Sequence, residues 1–455
     1  MKVSPARAAA FDALLRVERD GAFATDALDA LLEGLEKRAD AALATELTMG
    51  VLRSRRTLDF LIQHFVGRPA ESLDLEVLLA LRISLYQLRF LSRVPASAAV
   101  NESVELAKRA RKRSAAGLVN AALRRAARDE RTKGSLDALL PAGLSPADGL
   151  GMLLSHPTWL VECWFTRFGE LNTRALLAVN NQPPRLCGAV VDAARAGDVL
   201  TSLAEDGFDV QPGAWLASAV ELKAVPRGGV AASRAVRAGR LLIQDEASQM
   251  IPLLLDVKQG QRVLDLCAAP GGKVARLAQQ ASVVAGDLHP HRLRQMRELL
   301  RKIAARDVRL VALDAGKPLP FNLRFDRILL DAPCSGTGTL ARNPEIRWRL
   351  QPQDLAALQE KQKAMLRQAL SQLAPGGRLV YSTCSLEPEE NEEVLAAALA
   401  EFPGARVVNA EPALAPHLRT GVKSDALFDA QGCFRTFPPR HGTDGFFAAA
   451  LELAS

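Results

Sequence analysis

The chain has 455 residues, 48% of them hydrophobic and 24% charged, with a formal net charge of +7. Two or three domains are expected at that length, and the composition is that of a soluble globular protein rather than a disordered chain. No uncharged apolar run approaches the roughly 18 residues of a membrane span, and Arg7, Asp12 and Arg16 interrupt any signal-peptide core, so a cytoplasmic protein with no membrane partner is expected.

Residues 1–140 read as an all-α bundle. "EVLLALRISLYQLRFL" is apolar almost all round, as a central bundle helix is, and "PASAAVNESVELAKRARK" repeats apolar positions at Val100, Val104 and Ala107. Residues 1–133 hold 23 Lys/Arg against 17 Asp/Glu, and residues 108–133 alone hold ten basic and two acidic side chains. Such a run is a solvated helix face or a contact for a polyanion. Pro141, Pro146 and several glycines suggest a linker over 134–151. Residues 141–236 are expected to form a small α+β domain, with a strand, a helix and a strand over "NNQPPRLCGAVVDAARAGDVLTSLAEDGFDV".

From 237 to 455 short strands alternate with helices: "RVLDLCA", "SVVAGDL", "VRLVALDA", "FDRILLDAP" and "GRLVYSTC", then "ARVVNA" and "GFFAAALEL". This alternation predicts a Rossmann-like α/β domain with a doubly wound parallel sheet. Ligands on such sheets sit beyond the carboxyl ends of the strands, near the switch point. The basic stretch 292–309, with seven basic and two acidic residues, reads as an outer helix face or an RNA contact.

"VLDLCAAPGGK" places a Pro-Gly-Gly turn between a strand and a helix, where a ligand can approach the backbone. A Walker A loop needs Gly at Cys267 and Ser or Thr at Val274, and a dinucleotide fingerprint needs G-x-G-x-x-G; neither pattern is present. Four acids follow strand ends instead: Asp265, Asp287, Asp314 and Asp331. Asp287 could bind ribose hydroxyls and Asp314 an adenine amine. A nucleoside cofactor without a polyphosphate is implied, and S-adenosylmethionine fits.

The six cysteines form neither a zinc knuckle nor a CxxC pair, so no metal is expected. Cys187 and Cys433 read as small buried hydrophobes. Cys334 and Cys384 instead follow two strands into Ser/Gly turns, and adjacent strands would bring them together in one cleft. Such a pair suits methylation of a pyrimidine at carbon 5: one thiolate adds to C6, and the C5 proton must later leave so that the sulfur can be expelled. A disulfide switch is the other use of two close thiols.

Together "VLDLCAAPGGK", "DAPCSGTG", "NPEIRW" and "YSTCSLEPEENEEV" resemble the motifs of the RsmB/Sun family of 16S rRNA cytosine-C5 methyltransferases. "ELTMGVLRSRRTLDFLI" and "AVNESVELAKRA" resemble a NusB-type RNA-binding domain. The likeness extends to "HPTWLV", "NNQPP" and "DGFFAAAL". It implies a cofactor loop at Cys267, Ala268, Ala269, Pro270, Gly271, Gly272 and Lys273, with Asp287, Asp314 and Asp331 as further contacts to S-adenosyl-L-methionine. It also implies Cys384 as nucleophile, Cys334 in product release, Asp331 on the cytosine edge, and 16S rRNA rather than DNA as partner. The residues alone leave the two thiols' roles open, because DNA cytosine-5 methyltransferases attack with the Pro-Cys thiol after the fourth strand. A flipped or unpaired base is implied in either case.

Overall fold

The computed structural model describes residues 3–226 and 229–454. The chain divides into two compact units, residues 3–183 with Leu340–Arg349, and the rest of the described chain.

The first unit is helical. Its seven N-terminal helices run Pro5–Arg19, Ala24–Leu32, Arg38–Arg53, Arg55–Val66, Leu75–Phe90, Ala96–Arg109 and Ala116–Arg128. Every residue from Val77 to Leu88 is buried, as the all-round apolar pattern of that helix requires. Its one buried cation, Arg82, is matched by a fork of hydrogen bonds to Asp59 at 2.7 and 2.8 Å. The stretch read as a linker contains a helix, Pro146–Leu153. Ser145 caps it by accepting from the Asp148 N–H, Pro146 sits at its first position, and Asp148 pairs with Arg56 at 2.8 Å. The Ser-Pro-x-Asp pattern is thus a helix start, and the glycines behind it are helical. A further helix, Thr158–Asn180, breaks at Gly169.

The "NPEIRW" segment packs within this helical unit. Arg347, wholly buried, donates to the carbonyls of Ser155 (3.1 Å) and Asn180 (3.0 Å) and to Asn181 Oδ1 (2.8 Å). Burial, with Arg53 adding, pulls its guanidinium down to about 9, while Glu345 opposes the change.

The second unit carries two sheets. The smaller joins β1 (Cys187–Val190), β2 (Asp209–Pro212), β3 (Ala219–Ala224) and β4 (Leu241–Ile243) in the order β2-β3-β1-β4. All its pairings are antiparallel, and Val190, Val199, Leu203, Phe208, Val220, Leu222 and Leu241 share its core.

The larger sheet holds β5 (Arg262–Asp265), β6 (Ser282–Asp287), β7 (Val308–Ala312), β8 (Phe325–Asp331), β9 (Leu373–Thr383), β10 (Ala405–Val408), β11 (Phe434–Thr436) and β12 (Phe446–Leu453). Its order is β10-β12-β9-β8-β5-β6-β7, with β11 on β12. Strands β5 to β9 are parallel, as the alternation predicts, but β12 runs antiparallel to β9, β10 and β11. The sheet is therefore mixed, not wholly parallel. A parallel return usually runs through a crossover helix, and the chain between β10 and β12 forms only helical turns of three or four residues and the short strand β11. Both faces of the parallel centre are buried: Val263, Leu329 and Val380 on one, Leu264, Ile328, Leu330 and Tyr381 on the other. This explains the near-continuous apolar runs in β8 and β9. After β7 the chain returns to the other side of β5, so the switch point lies between β5 and β8.

Candidate active site

The loop after β5 continues the parallel ladder on both sides before it turns. Leu266 N–H donates to Leu329 O at 3.0 Å, and Ala268 N–H to Gly286 O at 2.8 Å. Ala269 N–H then reaches Asp287 Oδ2 at 3.3 Å. Gly271 turns the chain at φ 106°, and a Cβ there would lie 2.7 Å from Met296 Cγ, so only glycine fits. Pro270 precedes it at the surface, and Gly272 opens the short helix Gly272–Leu277.

Three of the four predicted carboxylates gather around this loop. Asp265 is buried; its Oδ1 accepts from the Cys267 N–H at 3.3 Å, and its Oδ2 has no hydrogen-bond partner among the described residues. Burial, with Asp331 adding, pushes its carboxyl up to about 7, although Lys273 and the Cys267 N–H pull it down. Asp287, at the end of β6, also accepts from the His289 N–H (2.9 Å) and Arg292 (3.3 Å). Asp331 ends β8, its Oδ2 accepting from Lys273 Nζ at 2.5 Å and its Oδ1 from Ser382 Oγ at 2.7 Å. Burial alone lowers the Lys273 ammonium, but Asp331 and Asp265 outweigh it and hold Lys273 above its ordinary range. Burial raises the Cys267 thiol, so this cysteine is a neutral part of the loop wall. Asp314 differs from the other three. It lies two residues beyond β7, a third exposed, and its contacts are to its own turn: Gly316 N–H at 3.0 Å and Lys317 at 3.7 Å.

The two thiols meet. Strands β8 and β9 are adjacent and parallel, with Asp331 in register with Ser382, so the loops after them leave side by side. Cys334 Sγ and Cys384 Sγ are 3.4 Å apart, both free thiols. The hydrogen bond with Cys384, then burial, pushes the Cys334 thiol well up; the charge of Glu390 adds, and the Gly336 N–H opposes. Cys187 and Cys433 are both buried, the first at the start of β1 in the small sheet and the second directly before β11, in the apolar core on one face of the large sheet.

A set of polar residues surrounds these loops to which the motifs gave no role; all but Gln362 lie within "DAPCSGTG" and "YSTCSLEPEENEEV". Glu390 is fully buried and accepts from the Ser335 N–H (2.8 Å), from the Ser335 hydroxyl, and from Gln362 Nε2 (2.9 Å). Gln362 also donates to Pro333 O at 3.0 Å. Asn391 accepts from Thr383 Oγ1 at 2.5 Å and donates to Ser385 O at 3.0 Å. Ser335 and Ser385 touch at 3.0 Å. The acidic run "EPEENEEV" was the available signal, but it reads as a solvated helix start until the fold buries Glu390.

Comparison with known proteins identifies the domains that carry these residues. Residues 252–452 match a family described as 16S rRNA methyltransferase RsmB/F, residues 4–128 the NusB family, and residues 156–226 a ferredoxin-like domain of RsmF/B-like methyltransferases. The chain is 35% identical over 451 residues to the ribosomal RNA small subunit methyltransferase B of Vibrio cholerae, covering 98% of this chain and 97% of that protein. It is 37% identical over 419 residues to the protein of the same name from Pseudomonas putida, covering 88% and 90%. Among solved structures, PH0851 superposes with a TM-score of 0.81 at 24% identity over 99% of both chains. A methyltransferase homolog from Pyrococcus horikoshii gives 0.57 at 30% identity, over 68% of this chain and all of that one. On its helical N-terminal domain, its small sheet domain, its Rossmann-like domain and these near-full-length relatives, the chain belongs to the RsmB family of small-subunit ribosomal RNA methyltransferases.

Proposed function

We propose that this protein methylates carbon 5 of a cytosine in 16S rRNA, with Cys384 as nucleophile and Cys334 as the residue that assists release. The observation that carries this reading is the pair of free thiols 3.4 Å apart beyond adjacent parallel strands. In the same reading residues 1–140 and 141–236 grip the RNA, and residues 237–455 carry the reaction.

The loop suits S-adenosylmethionine, which supplies the methyl group when bound. Asp265 Oδ2 is a buried acceptor with no donor among the described residues, and the ammonium group of the cofactor's amino acid end is the donor it needs. Cys267, Ala268, Ala269, Pro270, Gly271, Gly272 and Lys273 would form the cradle, with Asp287 and Asp314 facing the nucleoside end. Asp287 makes one or two bonds per oxygen already, and a carboxylate has acceptor sites to spare for ribose hydroxyls.

On the RNA side, Cys384 loses its thiol proton to water, and its Sγ then gives an electron pair to C6 of the flipped base to form an S–C6 bond. The pair displaced to C5 makes that carbon nucleophilic toward the methyl group that bound S-adenosylmethionine would supply; the C5–CH3 bond would form as the cofactor's S–CH3 bond breaks, its electron pair staying on the sulfur of S-adenosylhomocysteine. The C5 proton then passes to water, its electron pair restores the C5–C6 double bond, and the S–C6 bond breaks. Cys334, held neutral by its surroundings, offers its S–H to the departing Cys384 sulfur. Asp331, fixed by Lys273 and Ser382, can accept from the exocyclic amine of cytosine; uracil offers no donor there.

The test is methyl transfer from labelled S-adenosylmethionine to 16S rRNA transcribed without modifications, followed by digestion to nucleosides. Label in 5-methylcytidine is expected. Label in another nucleoside, or transfer to duplex DNA instead of RNA, contradicts the reading.

A further inference from the structure

Two consecutive residues, Glu390 and Asn391, reach opposite thiol loops. Each cysteine is bracketed on both flanks. On one side the carbonyl of Pro333 is bound by Gln362 and the N–H of Ser335 by Glu390, and the same Gln362 amide also binds the Glu390 carboxylate. On the other, the Thr383 hydroxyl and the Ser385 carbonyl are both bound by Asn391. The pair is itself anchored, since Tyr381 on β9 donates its hydroxyl to Glu390 O at 2.5 Å. Ser335 gives its hydroxyl hydrogen to Glu390, so the contact between the two serines is a donation from Ser385 to Ser335. All these groups are buried or partly buried, and apart from Gln362 Oε1, which has no partner among the described residues, the groups named here are hydrogen-bonded to one another, which makes the network stiff.

We propose that Glu390 and Asn391 are positioning residues, a two-residue clamp in which Glu390 sets the Cys334 loop and Asn391 sets the Cys384 loop. Neither touches the reacting atoms through its own side chain. Each acts through the two residues flanking one thiol, so the separation of the sulfurs is fixed by one peptide unit between neighbours in sequence. The negative charge of Glu390 also opposes ionisation of Cys334 and helps keep that thiol a proton donor. The inference rests on the assignment of Cys384 as nucleophile and Cys334 as release residue.

Adjacent residues with opposite kinetic signatures are the consequence to test. Full-length protein is incubated with S-adenosylmethionine and unmodified 16S rRNA, and two quantities are followed: the rate at which an SDS-stable protein–RNA complex forms, and steady-state turnover. Glu390→Ala is expected to form the complex within about threefold of the wild-type rate but to accumulate it, with turnover down on the order of tenfold or more. Glu390→Gln keeps an oxygen for Ser335 and Gln362 and is expected to recover most of that turnover. Asn391→Ala is expected to slow complex formation on the order of tenfold, with no accumulation. Gln362→Leu loosens Pro333 and should repeat the Glu390→Ala pattern if that variant does not fold. The clamp is overturned if Cys334→Ala accumulates complex while Glu390→Ala and Gln362→Leu do not, or if all the variants slow formation and release in equal proportion. If Cys334→Ala itself accumulates no complex, the thiol roles beneath the clamp are wrong, and the clamp falls with them.

Discussion

Asp265 is the residue whose environment departs furthest from what its sequence position announces. Strand-terminal aspartates usually cap the next turn, and Asp265 does accept one loop N–H, but its second oxygen is buried without a donor. With its carboxyl raised to about 7, the folded protein holds a proton between roughly pH 4 and 7 that the unfolded chain has released. Its contribution to stability therefore falls as pH rises through that window. Asp265→Asn removes the ionisation, so in the cofactor-free protein the wild type should gain stability relative to the variant as pH drops from 8 to 5. Urea denaturation at the two pH values measures this. An unchanged difference would mean that Asp265 titrates as an ordinary carboxylate.

At the scale of elements, the active-site loops depend on one close backbone approach. Gly338 N–H donates to Cys384 O at 2.9 Å, and Gly338 O accepts from the Gly445 N–H at 2.8 Å. A Cβ on Gly338 would lie 2.1 Å from Gly445 O, a backbone atom that cannot swing away. Gly338→Ala must therefore displace the segment linking Cys334 to Cys384. A shift of about 1 Å at a reacting centre costs on the order of 100-fold in rate. Turnover should fall by that much while affinity for S-adenosylmethionine, measured by calorimetry, stays within about threefold; a variant with wild-type turnover would deny the loop contact its role. These loops also show where sequence reading stops. The strands from β5 to β9 were legible because buried parallel strands are short apolar runs with polar residues at their carboxyl ends. β12 was legible as a strand, but its antiparallel direction was not, because "GFFAAALEL" has the same composition whichever way it runs. The helix at Pro146–Leu153 was hidden by its glycines, although Ser145 and Pro146 announce its start. Glu390 and Asn391 lie within "YSTCSLEPEENEEV", but their roles, and Gln362 itself, could not be read from the motifs, since their partners lie 6 to 55 residues away and meet only when β8, β9 and the following helix pack together.

At the scale of the whole molecule, the positive charge is concentrated where the helical unit meets solvent. Of the basic residues in 108–133, Lys108, Arg109, Lys112 and Arg131 are already paired with acids. Arg111, Arg113, Arg128 and Lys133 are exposed and have no carboxylate partner among the described residues. Four phosphate contacts correspond to a slope of about −3 in log affinity against log salt. Filter binding of 16S rRNA between low and moderate salt should give a slope of that order, and Arg111→Ala with Arg113→Ala should reduce it by about 1 to 2; a flat response would remove this face from the RNA contact.

The central claim concerns two sulfurs, and one measurement separates them. The Cys334→Ala protein is incubated with S-adenosylmethionine and unmodified 16S rRNA, the SDS-stable complex is isolated, nuclease and protease reduce it to peptides, and mass spectrometry locates the attached nucleotide; wild type and Cys384→Ala are carried in parallel. The account predicts a methylated cytidine residue on the peptide bearing Cys384, and no complex from Cys384→Ala. A complex formed by Cys384→Ala, with the nucleotide on Cys334, would contradict it.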